Sequence, residues 1–383
     1  MGWIERGDTA SVFPLKRARR LAAVAASTLL GAALLMAGCG DRSPYRIGFL
    51  GSLTGKYAYL GEGGRNGFLL ALEEINAAGG VDGRRIEAVI RDDQHNDAKA
   101  ADATRELLAQ QVRAVVGPMT SAMAKAVIPV LTGTDVPLIS PTATSSELEG
   151  KDDPLFRILS SDPEYALQLA GYAWQTLGVR TLAIAFEEAN RSYSESLANA
   201  FRKAFEDLGG KVVLITPLDA KDATSTSERL LAASPEAILM ISNPVDTARI
   251  SQVVRSRNEK VRLLGDTAEE RVIQLGGAAV EGLVATQTFD RDDPSPRYAA
   301  FVAAYEQRFK TKPGFEAIAS YDATRVTLEG LAHRESGESL KAAIVRVARF
   351  AGVQGEIRFD RFGDAHRKAV IVRVENGQFK VIR

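Results

Sequence analysis

From Tyr45 to the carboxyl terminus, short apolar runs alternate with longer stretches in which apolar residues recur at spacings of three and four. The runs read as strands buried on both faces, the longer stretches as amphipathic helices. The pattern predicts strands Tyr45–Leu50, Ile86–Arg91, Ala114–Gly117 and Pro137–Ser140. Between them lie a glycine-rich loop, Gly51–Gly63, and helices Gly64–Ala78, Ala98–Gln110 and Ser121–Leu131. In the first of these helices Phe68, Leu72 and Ile75 share a face, and Gly79-Gly80 stops it. A second series opens with helix Glu164–Leu177 and strand Thr181–Phe186, then helix Ser194–Leu208 and strand Lys211–Pro217. It continues with helix Ser227–Ala233, strand Ala237–Ser242, helix Val245–Arg257 and strands Arg262–Gly265 and Val284–Phe289. Helices Ser295–Lys310, Glu316–His333 and Ser339–Val347 follow. Strands Ala369–Val374 and Gln378–Ile382 flank Asn376-Gly377, the strongest short signal for a hairpin.

Strands alternating with helices of this length mean βαβ units and parallel sheets with helices on both faces. The 383 residues are more than one core usually organises. The expected fold is therefore α/β, with two doubly wound parallel-sheet lobes and a cleft between them.

The region ahead of Tyr45 has a different pattern. Lys16, Arg17, Arg19 and Arg20 form a basic cluster, followed by an apolar run from Leu21 to Met36 and then small residues. This is the order of a signal peptide, expected over residues 1–38, and the run is too short and alanine-rich for a confident spanning helix. Leu35-Met36-Ala37-Gly38-Cys39 resembles the bacterial lipobox, in which the cysteine is lipidated and becomes the first mature residue. Residues 39–44 then read as a lipidated tether, and acyl chains on Cys39 would hold a soluble domain at a membrane. A plain secretory signal with an incidental cysteine is the alternative. Residues 1–15 read as a long amino-terminal region or an upstream start-site artefact.

Composition narrows the function classes. Lysine plus arginine (48) balance aspartate plus glutamate (48), with no basic stripe to meet a nucleic acid backbone, so no nucleic acid partner is expected. Cys39 is the one cysteine, which rules out an internal disulfide and a thiolate metal cluster. His95, His333 and His366 are far apart in sequence, and neither a metal nor a cofactor is expected. No nucleophile elbow, phosphate loop or zinc-protease motif occurs, and Gly61-Glu62-Gly63-Gly64 has the wrong spacing for a dinucleotide loop. The chain therefore reads as a non-enzyme.

Candidate chemistry sits where parallel strands end, because ligands bind outside the carboxyl ends of such strands. Three ends are rich in glycine and small hydroxyl residues: Gly51-Ser52-Leu53-Thr54-Gly55, Gly117-Pro118-Met119-Thr120-Ser121 and Ser140-Pro141-Thr142-Ala143-Thr144. Backbone N–H groups at helix starts, joined by Ser and Thr hydroxyls, suit a carboxylate. Each loop taken alone could equally be a helix cap. Asp266, directly after strand Arg262–Gly265, is a candidate partner for an ammonium group or a cap for the next helix; the residues leave both open.

The segments Leu53-Thr54-Gly55, Asn66-Gly67 and Glu74-Ile75-Asn76-Ala77-Ala78-Gly79-Gly80-Val81-Asp82-Gly83 resemble the opening of the leucine/isoleucine/valine-binding proteins. These are type I periplasmic binding proteins of ABC transporters. The likeness continues through Asp92-Asp93, Ile139-Ser140-Pro141-Thr142-Ala143-Thr144, Tyr193 and Tyr321-Asp322-Ala323. It implies two lobes, 45–157 with 288–356 and 158–287 with 357–383, joined by three hinge crossovers near Phe156–Asp162, Ala285–Phe289 and Glu356–Asp360. Carried over by position, Ser121, Thr142, Ala143 and Thr144 would hold an α-carboxylate and part of the ammonium, with Ser140 behind them. Tyr193 would close from the second lobe and Asp266 would meet the ammonium. Leu60 replaces a frequent aromatic residue, and around Ser242-Asn243-Pro244, where Asn243 is a candidate contact, the chain lacks a second-lobe tyrosine of the branched-chain binders. Both changes alter the walls around the ligand's side chain, and relatives of this kind also take aromatic acids, γ-amino acids, amides or urea. The resemblance thus implies a monomeric, lipid-anchored receptor on the periplasmic or outer side of a bacterial membrane. It would capture an amino acid or related small carboxylate by hinge closure and deliver it to an ABC permease. A sensor controlling a signalling partner is the alternative on the same fold.

Overall fold

The apolar runs become strands because both their faces are sealed by other parts of the chain. The structure, a computed structural model, describes residues 1–2, 43–266 and 268–382. The basic cluster, the apolar run and Cys39 lie outside the described residues. The chain forms β1 (Tyr45–Gly51), α1 (Ala58–Ala77), β2 (Ile86–Asp92), α2 (Asp97–Ala109), β3 (Val115–Val116), α3 (Ser121–Leu131), β4 (Leu138–Ser140) and β5 (Leu155–Arg157). Next come α4 (Asp162–Gln175), β6 (Thr181–Phe186), α5 (Arg191–Asp207), β7 (Lys211–Pro217), α6 (Ala223–Ala232) and β8 (Ala237–Ile241). They lead to α7 (Pro244–Arg257), β9 (Arg262–Gly265), α8 (Glu270–Gly276) and β10 (Val284–Gln287). The last part holds α9 (Pro296–Phe309), α10 (Phe315–Ala332), α11 (Leu340–Val347), β11 (Arg349–Ala351), β12 (Glu356–Arg358), β13 (Val370–Glu375) and β14 (Gln378–Ile382).

One sheet has the order β2-β1-β3-β4-β5, with every pairing parallel. The second has the order β14-β13-β10-β9-β8-β6-β7. Its parallel part, β7-β6-β8-β9-β10, repeats the topology of the first sheet, and the β13–β14 hairpin is added antiparallel at one edge. Asn376 and Gly377 both take positive φ, 53° and 70°, as a tight hairpin of this type requires. Along β6, Leu182, Ile184 and Phe186 enter one core while Ala183 and Ala185 enter another, the period of two that divides a strand between two helical layers. In β1, Ile47 and Phe49 face one layer and Leu50 the other. This is the α/β, doubly wound architecture that the pattern predicts. Among the described residues no helix is long and apolar enough to cross a membrane.

The glycine-rich segment is a correction. The pattern predicts a loop to Gly63, yet α1 begins at Ala58 and carries Gly61, Gly63, Gly64 and Gly67 inside it. Packing overrides their poor helix propensity. A Cβ on Gly67 would stand 2.1 Å from the carbonyl oxygen of Ala317, and one on Gly61 would stand 2.0 Å from that of Ser52. The glycines let α1 lie directly against α10 and the end of β1. Strand β5, helix α8 and the β11–β12 pair are additions to the predicted set; each is short, below the length at which periodicity can be read.

The chain passes between the layers of the two sheets at 158–161, 288–295 and 359–369. One buried ion pair ties the first passage to the third, and another ties the third to α10. Arg157 Nε lies 2.7 Å from Asp364 Oδ1, and its Nη1 donates to the Ser145 carbonyl at 3.0 Å. Arg367 Nη1 lies 2.9 Å from Asp322 Oδ2, and the Val353 N–H donates to Asp322 Oδ1. Ser145 directly follows the Thr142–Thr144 loop, so the first pair braces the region where a ligand is expected.

Candidate functional site

The carboxyl ends of both sheets face one cavity of about 90 Å³. On the first sheet its wall is built by Met119 after β3, by Thr142 and Thr144 after β4, and by Tyr57, Tyr59 and Leu60 at the start of α1. On the second sheet the wall comes from Glu187 and Asn190 after β6, Ser242 and Asn243 after β8, and Asp266 and Glu269 after β9. Tyr193 and Leu197 from α5, Val272 from α8, Thr286 and Thr288 near the end of β10, and Phe315 also line it. These positions follow from topology: in this strand order, loops from strands flanking the central one diverge to opposite faces and leave a crevice at their ends.

Six of the predicted residues share this wall: Leu60, Thr142, Thr144, Tyr193, Asn243 and Asp266. The other three lie behind it. Ser121 Oγ accepts from the backbone N–H groups of Thr144 and Ser145, each at 3.2 Å, and so shapes the loop. Ser140 Oγ donates to the Pro118 carbonyl at 2.7 Å and accepts from the Ala143 N–H, while the Ala143 side chain is in the core. Thr142 Oγ1 donates to the Met119 carbonyl at 2.6 Å. Thr144 Oγ1 lies beside the Asp162 carboxyl without a hydrogen bond of good geometry to any described group. Opposite, Tyr193 Oη donates to Asp266 Oδ2 at 2.8 Å.

Glu187, absent from the predicted set, joins the two rims. Tyr57 Oη donates to its Oε1, Lys56 Nζ lies 3.2 Å from Oε2, and Asn243 donates to Oε2 through both its backbone N–H and Nδ2. Lys56 also lies 2.9 Å from Asp246 Oδ2. Burial, then the Glu187 charge, holds the Tyr57 phenol far above its usual pKa, so it stays a donor. Around this centre the rims are stitched by further bonds. His95 stacks on Tyr57 with 3.9 Å between ring centroids and places Nε2 2.9 Å from the Ala189 carbonyl. The Ala122 N–H donates to Asn190 Oδ1, and Ser145 Oγ donates to the Ser192 carbonyl at 2.6 Å. The structure is thus in a closed arrangement. Asn243 also serves the backbone, since its Oδ1 accepts from the N–H groups of Val245 and Asp246 and caps α7.

The cavity is acidic. Glu187, Asp266 and Glu269 line it, and among the described wall residues there is no lysine or arginine. Burial pushes the carboxyls of Asp162 and Asp266 up to about 7, and burial does the same to Glu316, which lies beneath Gly63 and Gly314. A carboxyl whose pKa is raised by folding contributes stability that is complete below its unfolded pKa and is lost as pH rises through the folded value. The urea midpoint of the ligand-free protein is therefore expected to fall as pH rises from about 5 to about 8. Asp162→Asn with Glu316→Gln is expected to flatten that slope; a wild-type midpoint that rises across the window would contradict these environments.

The comparisons with known proteins agree with this geometry. The family model described as periplasmic binding protein matches residues 44–378. A leucine-, isoleucine-, valine-, threonine- and alanine-binding protein of Pseudomonas aeruginosa is 26% identical over 347 residues, covering 88% of this chain and 92% of that one. The crystal structure of the leucine-binding protein LivK of Thermotoga maritima superposes with a TM-score of 0.81 at 25% identity, covering 88% of this chain and 98% of that one. LivJ of Streptococcus pneumoniae, solved in complex with isoleucine, also gives 0.81, at 26% identity and with 88% and 99% covered. The chain therefore belongs to the periplasmic binding protein family, in its type I, leucine/isoleucine/valine-binding branch.

Proposed function

We propose that this protein is the extracytoplasmic receptor of an ABC importer and that it captures an α-amino acid or a closely related small carboxylate by closing its two lobes. The observation that carries the reading is the division of chemistry across one cavity between the two rims. A neutral donor, the Thr144 hydroxyl, comes from the loop after β4, and a carboxylate, Asp266, held by Tyr193, comes from the end of β9. A zwitterion fits such a site by its two ends. Water-excluding closure strengthens both contacts, because the effective dielectric falls as the rims meet. The relatives named for leucine, isoleucine and valine support an amino acid, while Leu60 and Asn243 at the side-chain walls allow a different side chain. The family's solute-binding role supports a receptor rather than an enzyme.

Removing the charge of Asp266 tests the ammonium contact. Asp266→Asn is expected to weaken binding of the preferred amino acid by about 100-fold, the range for a hydrogen bond to a charged group, while leaving its α-deaminated analogue within about threefold. Thr144→Val is expected to weaken both ligands by about tenfold. Calorimetric titration reads all four values; equal losses for both ligands on Asp266→Asn would contradict the assignment.

We also place Cys39 as the lipidated amino terminus, on the strength of the preceding Leu-Met-Ala-Gly. Wild type expressed in a Gram-negative host is expected in the membrane fraction and Cys39→Ser in the soluble periplasmic fraction. An unchanged distribution would contradict the anchor.

A further inference from the structure

Glu269 is the cavity carboxylate to which the amino-acid reading gives no contact. Glu187 is met by Tyr57, Lys56 and Asn243, and Asp266 by Tyr193. Glu269 stands three residues after Asp266, at the amino-terminal cap position of α8, yet its side chain makes no capping bond to that helix. Its Oε1 is shut off from solvent and has no hydrogen-bond partner among the described residues. Arg291 is close but is engaged by Glu270, Gln287 and the Ala268 carbonyl, and Arg271 lies over the Tyr59 ring, 5.8 Å from its centroid. Neither arginine lines the cavity.

With Thr144 and Asp266 taking the two charged ends on the amino-acid reading, Glu269 is left for the side-chain end: Tyr59 and Glu316 lie close enough to interact electrostatically with it, and its backbone carbonyl accepts from the Val272 N–H. Tyr59 and Leu60 face the cavity from α1, Val272 from α8 and Phe315 from the start of α10. The α-carboxylate and ammonium contacts, Thr144 and Asp266, are separate residues of the same wall. A buried acceptor without a donor is costly to the folded chain, and a ligand that brings the donor recovers that cost on binding. We infer that Glu269 selects an α-amino acid whose side chain ends in N–H donors, such as an amide, ureido, ammonium or guanidinium group, over one with a purely aliphatic side chain. The inference rests on the amino-acid reading for the orientation of the ligand. Burial, followed by the nearby Glu316 charge, pushes the Glu269 carboxyl well above its ordinary range. A neutral carboxyl both donates to and accepts from an amide, and a cationic side chain would draw it into the ionised form. The apolar part of the wall then covers the methylenes of a straight side chain.

The test is calorimetric titration of the full chain in detergent with glutamine, lysine, arginine, leucine and norleucine. Agmatine and putrescine complete the set as nitrogen-bearing ligands that lack the α-carboxylate. A site that hydrogen-bonds a substrate N–H discriminates strongly against analogues that lack it. At least one of glutamine, lysine and arginine is therefore expected to bind at least about tenfold more tightly than leucine or norleucine. Glu269→Leu is expected to reduce that ratio to near unity, and the shape-conserving Glu269→Gln to change which nitrogen group is preferred. Leucine binding as tightly as the best nitrogen-bearing ligand would overturn the inference and leave the amino-acid reading standing. A preference that survives in both variants would overturn the role of Glu269. Binding of agmatine or putrescine alone, lost in Glu269→Leu, would support Glu269 and overturn the amino-acid reading. Failure of every ligand would overturn both.

Discussion

The two rims of the closed cavity meet at one buried carboxylate, Glu187, which draws donors from both. Glu187 is 5% exposed, and removing its charge from water is costly unless each oxygen is bonded. Among the described residues its own sheet supplies Asn243, and the remaining donors, Tyr57 and Lys56, come from the start of α1 on the opposite rim. Parting the rims would strip Glu187 of two partners and return it to water, so closure exchanges solvent for protein donors at one point. Asn243 links this exchange to the backbone, since the same side chain caps α7. The chemistry of the cavity and the mechanics of closure therefore share residues.

The two sheets supply their halves of the site by the same rule. In both, the first strand, β1 or β6, lies next to an edge strand with the following strands on either side of it, and both sheets present loops at the carboxyl ends of their parallel strands. Among the described wall residues every carboxylate and amide comes from the rim of the second sheet, whereas hydroxyls and aromatic rings come from both. That asymmetry suits a ligand with unlike ends. The passages between the sheets are pinned by Arg157–Asp364 and Arg367–Asp322, so buried charge also holds the chain where it crosses from one sheet to the other.

Most of the strands are legible in the sequence because each is a short apolar run between turn residues; Thr181–Phe186, Lys211–Pro217 and Arg262–Gly265 have the predicted ends. The start of α1 is not, since glycines that permit close contact with α10 look the same in sequence as glycines of a loop. On the site, strand ends and family resemblance lead to Thr142, Thr144, Tyr193 and Asp266. Glu187 carries the same local signal as Asp266, an acid directly after a buried parallel strand, and the strand-end rule applied to β6 points to it. Tyr57, Tyr59 and Glu269 carry no such signal. Their places in the cavity come from the pairing of two rims more than a hundred residues apart in sequence, which periodicity does not encode. Ser121 shows the converse: its type and position suggest a ligand contact, while its hydroxyl is held by Thr144 and Ser145 N–H groups.

Closure of the two rims around an amino acid is open to a direct distance measurement. Cys39 is the one cysteine, so residues 43–383 offer a cysteine-free background for spin labels at Ala98 and Lys221, exposed positions beyond the carboxyl ends of β2 and β7. Double electron–electron resonance would measure the distance between them with and without saturating ligand. Capture by closure predicts a broad or longer distribution in the free protein that shortens and narrows on binding. A distribution unchanged by a ligand that demonstrably binds would contradict closure as the means of capture.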